Sequence, residues 1–290
     1  MNHKKYIDLH THTRFSDGQL TPQELIERAK CAGIGTLAIT DHNMLIPNLD
    51  ELRNANPDME LITASEISCR YTTVAGQEVE IHLVGLMIDP EEESMARVFL
   101  TNQPDRRPYI NAILDKLRIW NIDLGSYDDL KARHPDAGYL GRMAIAGDMV
   151  EHGYAKDIDE AFDVYLGGGT EQKKLAYVPN PLKYVTFDEA VPAIEKTGIC
   201  VLAHLWYYSL SPAENHRLLA RFKQLGGTAM EVEYRRYSRE QRDELGALAD
   251  AYGLLYSAAS DFHGQNENDS LENQFPYELW ERLRAKCGKR

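Results

Sequence analysis

Two histidines close a short hydrophobic segment near the start of the chain, and their spacing suits a metal ion. The segment Ile7-Asp8-Leu9-His10-Thr11-His12 is typical of a β-strand. Strand side chains alternate between faces, so His10 and His12 point to the same side. Two such imidazoles at a strand end can bind one ion. When no other candidate ligands are present, two histidines with this spacing are as often solvated side chains as metal ligands. The metal-site hypothesis therefore depends on further candidate ligands elsewhere in the chain.

Further histidines and carboxylates lie on or beside strand-like apolar runs along the whole sequence. The added candidates are Asp17, His42, Glu66, His82, His204, Asp261 and His263. Ligands repeated at strand carboxyl ends are typical of barrel active sites. Nitrogen and oxygen donors without a thiolate suit Mn, Fe or Zn. The set is too large for one ion, so we expect two or three divalent ions with Glu66 as the bridging carboxylate.

Helix starts alternate with these strand-like runs. Capping-box patterns, in which a hydroxyl residue precedes Glu or Gln by three positions, begin at Thr21, Thr186, Ser211 and Ser238. Each precedes a helix-length segment that leads to the next strand, as in a βαβ crossover. About six or seven strands with intervening helices predict an α/β barrel rather than an open sheet.

The middle of the chain does not show this alternation of strands and helices. Residues 91–178 show helical patterns without a strand of the barrel type. We therefore expect a barrel formed by residues 1–90 and 179–290, and a helical insertion over residues 91–178. An insertion on the catalytic face would supply a substrate cap.

Composition narrows the class of partner and the compartment. The formal net charge of −13 over 290 residues argues against binding of an extended nucleic acid. The four cysteines are scattered without a C-x-x-C pair, which is typical of a reducing compartment. No apolar stretch approaches the length of a membrane span. Because His10 lies so close to Met1, a cleaved signal peptide has no room. We expect a cytoplasmic enzyme with a small-molecule substrate.

The motifs together resemble those of the PHP family, named for polymerase and histidinol phosphatase. The resemblance runs from residue 6 to about residue 263. Within this family, the chain is most similar to the stand-alone phosphoesterase branch, which includes nucleoside 3′,5′-bisphosphate phosphatases and an enzyme that opens a cyclic phosphate. The motifs that carry it are His10-Thr11-His12, Ser16-Asp17-Gly18, Thr40-Asp41-His42, Glu66-Ile67-Ser68, Glu80-Ile81-His82-Leu83-Val84-Gly85, Ala203-His204 and Ser260-Asp261-Phe262-His263.

The resemblance implies a distorted (β/α)7 TIM-like barrel with three metal positions. One ion would be held by His10, His12, Glu66 and Asp261. A second would be held by Glu66, His82 and His204, and a third by Asp17, His42 and His263. Manganese is the first choice of metal, with iron or zinc as alternatives. For the acid that protonates the leaving group, Asp41, His204 and a metal-bound water all remain open.

Two motifs depart from the family pattern. Nucleotide-hydrolysing relatives have a motif like A-H-P-G-R-Y where this chain reads Ala203-His204-Leu205-Trp206-Tyr207-Tyr208. A motif like S-R-T-H-F-A appears as Gly141-Arg142-Met143-Ala144-Ile145-Ala146, which keeps the arginine and loses the histidine. The metal ligands are therefore intact, while residues that contact the substrate have changed.

Several residues are candidates for contact with the substrate. Arg142 could bind a phosphate through two parallel hydrogen bonds, with a surface salt bridge as the alternative. Trp206 and Tyr207, next to His204, could stack on a base or sugar ring, with core packing as the alternative. Arg235 and its neighbour Arg236 follow a strand end and could reach the site. Lys173 and Lys174 could face a phosphate or belong to a solvated linker.

The expected function is a metal-dependent phosphoesterase. Its substrate would be a small phosphorylated metabolite such as a nucleotide or ribose phosphate. Hydroxide activated by the metal ions would attack phosphorus and release phosphate. The alternatives are a phosphodiesterase that opens a cyclic sugar phosphate, a nuclease, and a metal-binding module without activity.

Overall fold

A computed structural model describes residues 6–103, 105–135, 140–167, 174–178, 184–264 and 269–287. The strands in this part of the chain are β1 Tyr6–Thr11, β2 Ile34–Ile39, β3 Glu60–Ile62, β4 Ala64–Thr72, β5 Glu78–Leu86, β6 Ile199–Leu202, β7 Ala229–Tyr234, β8 Leu255–Ala259 and β9 Phe275–Pro276. The α-helices are α1 Pro22–Cys31, α2 Leu49–Ala55, α3 Glu93–Asn102, α4 Arg107–Arg118, α5 Tyr127–Arg133, α6 Arg142–Glu151, α7 Ile158–Glu160, α8 Phe187–Thr197, α9 Pro212–Gln224, α10 Arg239–Tyr252 and α11 Tyr277–Cys287.

The described residues also form two short helices that are not α-helices. A π-helical segment, Ala161–Leu166, follows α7, and a 3₁₀ turn, Leu205–Tyr208, follows β6. Within the described ranges, no helix is both long enough and apolar enough to cross a membrane.

The chain divides into two compact units. The first contains Met1–Thr13, Gly18–Asn102 and Lys183–Arg290. The second contains Arg14–Asp17 and Gln103–Leu182. All the described strands belong to the first unit.

Two mixed sheets form the centre of the first unit. One sheet has the strand order β3-β2-β1-β9, and the other has the order β4-β5-β6-β7-β8. Strands β1, β2 and β3 are parallel, and so are β6, β7 and β8. Strand β5 is antiparallel to both β4 and β6. The prediction of a helix between successive strands is wrong for β4 and β5. The loop between those strands, residues 73–77, is too short for a crossover helix.

Backbone hydrogen bonds link the two sheets where their strands end. The backbone N–H of Asp261 donates to His10 O at 2.9 Å, which links β8 to β1. The backbone N–H of Glu66 donates to Thr40 O at 3.0 Å, which links β4 to β2. The ladders of the described strands form two sheets and not one closed ring. The fold is therefore a mixed α/β fold, and its inter-sheet links lie at residues expected to bind metal.

Three of the four predicted capping boxes are formed in full, at Thr21, Thr186 and Ser238. At the fourth, the Ser211 hydroxyl still accepts a hydrogen bond from the backbone N–H of Glu214. The Glu214 carboxylate instead accepts from the backbone N–H of Val74 at 2.8 Å. This tertiary contact replaces the second half of the capping box and ties α9 to the β4–β5 loop.

Helix α3 belongs to the first unit, although the sequence analysis placed it in the insertion. Met95 and Val98 are buried in the same hydrophobic cluster as Phe187 of α8. At the end of α3, the Asn102 amide donates to Ser68 O at 2.7 Å. The second unit has its own buried cluster, formed by α4, α5, α6 and the segments that follow, and including Ile110, Ile113, Leu117, Ile145 and Met149.

Candidate metal centre

The Glu66 carboxylate lies at the centre of a ring of imidazoles. Its Oε1 atom is 2.8 Å from His82 Nδ1 and 3.0 Å from His204 Nε2. Its Oε2 atom is 3.0 Å from His42 Nδ1. The two oxygens therefore face different histidines, as expected for a carboxylate that bridges two ions.

His10 and His12 complete the Oε2 side of this ring. Their Nε2 atoms each lie 3.3 Å from Glu66 Oε2 and 3.0 Å from each other. Asp261 Oδ1 is 3.3 Å from His12 Nε2 and 3.6 Å from His10 Nε2. The alternation of β1 brings both imidazoles to one side, as the H-x-H spacing predicted.

Glu66 is carried by a different strand from the one predicted from the sequence. It was expected to end the third strand, but β3 ends at Ile62 and Glu66 lies inside β4. The chain changes sheets between these strands, and Glu66 enters the second sheet beside the carboxyl end of β2. Its backbone carbonyl accepts a hydrogen bond from the Asn43 N–H at 2.7 Å. The side chain is thus fixed where the two sheets meet.

Two of the expected ligands have unusual backbone conformations. His204 has φ of 25° and Asp261 has φ of 53°. Positive φ is strained for residues other than glycine, and such strain persists where surrounding contacts impose it. Here it turns both side chains from their strand ends toward Glu66 and His10.

The rings of His263 and His42 both contact the ring of His12. The His263 ring stacks on the His12 ring with centroids 4.2 Å apart, and the His42 ring is 4.7 Å from His12. Asp17, expected to join His42 and His263, lies in a segment that groups with the second unit. Its place among the ligands stays a prediction.

Charge pairing holds the central carboxylates ionised although they are buried. Burial alone would raise the pKa of Glu66, but the imidazoles of His82, His10 and His42 hold it well below its usual range. The pKa of Asp261 is likewise held down by His10 and His263 against the effect of burial. Two buried carboxylates are stable here only because positive charge lies beside them.

This donor set fits divalent ions. His10, His12 and Glu66 offer ligand atoms within 4.8 Å of one another, and so do His42, Glu66 and His82. The donors are imidazole nitrogens and carboxylate oxygens, the set that Mn, Fe and Zn accept. A divalent ion would supply the positive charge that the buried carboxylates require.

Glu231, which was not among the residues predicted from the sequence, contacts two of the expected ligands, His10 and His204. Its buried carboxylate lies 2.7 Å from His10 Nδ1, and its other oxygen accepts from the His204 backbone N–H at 2.8 Å. Tyr234 was also missed; its hydroxyl donates to Asp261 Oδ2 at 2.7 Å. The available signal for Glu231 was an acid between Met230 and Val232 in a strand-like run that lies between two ligand-bearing strands.

Asp41 is buried and bonded to the loop after β1. Its Oδ1 atom accepts from the Thr13 backbone N–H at 2.9 Å, and its Oδ2 atom accepts from the Thr13 hydroxyl at 2.6 Å. These bonds fix the backbone next to His12. They suit a positioning role better than the proton-donor role considered from the sequence, which stays a prediction, as it does for His204.

The predicted substrate residues are distributed over both units. Trp206 is half-buried and lines a cavity of about 360 Å³ beside Asn215 and Leu248. Arg235 lies 3.5 Å from the buried carboxylate of Asp269. Their contact with substrate stays a prediction.

The other three candidates belong to the second unit by sequence. Arg142 donates to Leu166 O at 3.2 Å. The Lys174 carbonyl accepts from the Tyr177 N–H in a turn. Lys173 lies outside the described residues. For these residues too, contact with substrate stays a prediction.

Comparisons with known proteins place the chain in a family. A family profile described as PHP domain matches residues 8–114. The 5′-3′ exoribonuclease Rnm of Escherichia coli is 36% identical over 266 residues, which cover 90% of this chain and 86% of the relative. The 3′,5′-nucleoside bisphosphate phosphatase of Chromobacterium violaceum is 30% identical over 269 residues, with 90% and 88% covered.

A solved structure agrees with these relatives. An amidohydrolase from Chromobacterium violaceum, with bound sulfate and no metal, has a TM-score of 0.79 and 29% identity, with 97% of this chain and 96% of that chain covered. The chain belongs to the PHP domain family. It is a metal-dependent phosphoesterase, a hydrolase that acts on phosphoester bonds.

Proposed function

We propose that the protein removes a terminal phosphate from a small nucleotide. The observation that carries this proposal is the Glu66 carboxylate, whose two oxygens face different imidazoles at 2.8–3.3 Å. A bridging carboxylate of this kind suits paired ions, and paired ions suit phosphoryl transfer. The similarity to a nucleoside bisphosphate phosphatase supports a nucleotide as the substrate.

The proposed ligand groups follow the geometry around Glu66. His10, His12 and Asp261 lie toward its Oε2 atom and would hold one ion. His82 and His204 lie toward Oε1 and would hold a second. A third position would use His42, His263 and, by resemblance, Asp17. Manganese is the proposed metal, with iron and zinc as alternatives.

Bound divalent ions supply activated water and neutralise charge on the phosphoryl oxygens. The protein residues around the ions have separate tasks. Glu231 orients His10 through Nδ1, and Tyr234 orients Asp261 through its hydroxyl. His204 is a proposed proton donor to the leaving oxygen as well as a ligand.

We also propose that the two sheets form a distorted TIM-like barrel. The hydrogen bonds that join β1 to β8 and β2 to β4 support this closure. That residues of the second unit cap the substrate, and that the enzyme is cytoplasmic, stay predictions from the sequence.

A second candidate function is removal of nucleotides from the 5′ end of short RNA. The 36% identity to the exoribonuclease of Escherichia coli favours it. The net charge of −13 argues against a long basic track for a polymer, so such a substrate would be held near its end. Both candidates use the same metal centre and differ in the leaving group.

Product analysis with Mn²⁺ separates the candidates. The substrates would be a nucleoside 3′,5′-bisphosphate, a nucleoside 5′-monophosphate, a cyclic ribose phosphate and a 5′-phosphorylated oligoribonucleotide. We expect inorganic phosphate from the bisphosphate, and none with the Glu66→Gln variant. Release of mononucleotides from the oligoribonucleotide without inorganic phosphate would support the second candidate. No product from any substrate with metal-loaded protein would contradict both.

A further inference from the structure

Arg236 is an exposed arginine in the loop that follows β7. Its Nη1 atom donates to the Tyr207 hydroxyl at 3.1 Å. Among the described residues, it has no carboxylate within salt-bridge distance. A guanidinium has five N–H donors, and this hydrogen bond uses one of them. A bound anion would be a second partner for this planar set of donors.

Three other arginines in the segment that follows β7 lie beside carboxylates. Arg235 faces Asp269 at 3.5 Å, and Arg242 faces Glu233 at 3.4 Å. Arg239 lies 3.8 Å from Asp243. Arg236 is therefore distinguished from these three by its neutral partner.

Tyr207 connects Arg236 to the metal centre. The Tyr207 ring packs edge-on against His204, with centroids 5.4 Å apart, and against Tyr234 at 5.9 Å. Tyr234 in turn donates to Asp261. Arg236 is thus one side chain away from His204. Partial burial of the guanidinium opposes its charge, yet the Tyr207 bond and the negative charge of Asp261 raise the pKa of Arg236.

Hydrogen bonds hold the 3₁₀ turn that carries Tyr207. The Trp206 backbone N–H donates to the Tyr237 hydroxyl at 3.0 Å, which ties the turn to the loop after β7. The Tyr208 hydroxyl donates to Ala203 O and accepts from the His82 backbone N–H, both at 2.9 Å. The partner of Arg236 is therefore held in place, and a fixed partner reduces the entropy that the guanidinium loses when it binds an anion.

We propose that Arg236, positioned by Tyr207, binds a phosphate group of a nucleotide substrate other than the phosphate that is hydrolysed. The proposal rests on the proposed function and names how that site selects substrates with two phosphates. Tyr207 stands where the related motif A-H-P-G-R-Y has its arginine. In this chain the neighbouring loop supplies a guanidinium, and the tyrosine holds it.

The test compares two substrates in the Mn²⁺-loaded enzyme. One is a nucleoside 3′,5′-bisphosphate, and the other is p-nitrophenyl phosphate, which has no second phosphate. Arg236→Ala should lower kcat/KM for the bisphosphate roughly 10- to 100-fold, mainly through KM, and leave p-nitrophenyl phosphate within about twofold. Arg236→Lys should recover part of the loss, because a lysine keeps the charge without the planar fork.

Matched variants separate the contact from a general change of charge or fold. Arg239→Ala removes the same charge from an exposed pair nearby and should leave both substrates unchanged. Tyr207→Phe keeps the ring and removes the hydroxyl, and it should raise KM for the bisphosphate roughly 3- to 10-fold. If Arg236→Ala slows both substrates equally or neither, the proposal is wrong while the phosphoesterase stands. If the unmodified enzyme hydrolyses neither substrate, the proposed function itself fails.

Discussion

The Glu231 carboxylate lies 2.7 Å from Nδ1 of His10 and is fully enclosed with it. A carboxylate oxygen at this distance accepts a hydrogen bond from the Nδ1 N–H of a neutral imidazole, which leaves Nε2 as the atom with a free electron pair. That Nε2 atom points toward Glu66 and Asp261. Glu231 therefore selects the His10 tautomer that can bind a metal.

Glu231→Gln should weaken metal binding without removing a ligand. A glutamine presents a weaker acceptor to His10 and places an amide donor beside His204 N–H, so one contact is lost. We expect roughly 10- to 100-fold lower metal affinity, the range for residues that orient ligands. Competition with a chelator of known affinity measures it. Glu233→Gln, on the same strand but paired with Arg242, is the control and should bind metal normally.

Glu66→Gln should reduce metal binding more than Glu231→Gln does, because Glu66 is the proposed bridge between two ions. The substitution keeps the shape and removes the negative charge that offsets two cations. Metal content and turnover should both fall to background, while far-UV circular dichroism stays unchanged. Activity close to that of the unmodified enzyme would remove Glu66 from the site.

Arg142→Ala tests the contact predicted from the insertion motif. Loss of one charge-assisted contact with a phosphate costs about 2–3 kcal/mol, which is a roughly 30- to 150-fold loss in kcat/KM. Metal content should stay full, and phosphate-rich substrates should suffer more than an aryl phosphate. Arg142 also donates to Leu166 O, so thermal unfolding must be measured alongside. Equal loss on both substrates would leave Arg142 with a structural role alone.

Asp148 should stabilise the second unit in a pH-dependent way. Its buried carboxylate accepts from Arg133 Nε and lies near His134 Nε2, both at 2.6 Å. Burial opposes ionisation, but these partners lower the pKa of Asp148 below its usual value. A lowered carboxyl pKa contributes stability above the ordinary value of about 4, and this is lost as pH falls through the folded value.

Asp148→Asn should therefore reduce the free energy of unfolding at pH 7 by about 1–3 kcal/mol, and the difference should shrink below about pH 4. Urea unfolding at both pH values measures it. Asp128→Asn alters an exposed pair with Arg107 and should change the free energy by less than about 1 kcal/mol. A pH-independent effect at Asp148 would contradict the assigned charge pairing.

The sequence predicted parts of the site that depend on local periodicity. His10 and His12 face one side because strand alternation requires it, and the capping boxes at Thr21 and Thr186 appear as expected. Local pattern does not specify which strands pair over long distances. The antiparallel placement of β5 between β4 and β6, and the entry of Glu66 into a second sheet, therefore escaped the prediction.

Residues that position a ligand or a substrate-binding side chain, without being ligands themselves, were the hardest to predict from the sequence. Glu231 is one of two acids in β7, and only the packing of β6, β7 and β8 brings it to His10 and His204. Arg235 and Arg236 are adjacent in sequence, yet one faces Asp269 and the other faces Tyr207. Their difference depends on segments far away in the chain.

Metal stoichiometry measured together with activity tests the central claim most directly. Protein purified in the presence of Mn²⁺ should contain two or three divalent ions per chain by elemental analysis. Removal of those ions by a chelator should abolish phosphate release from a nucleoside 3′,5′-bisphosphate, and added Mn²⁺ should restore it. Fully active protein that contains one ion or none would contradict a cluster built around Glu66.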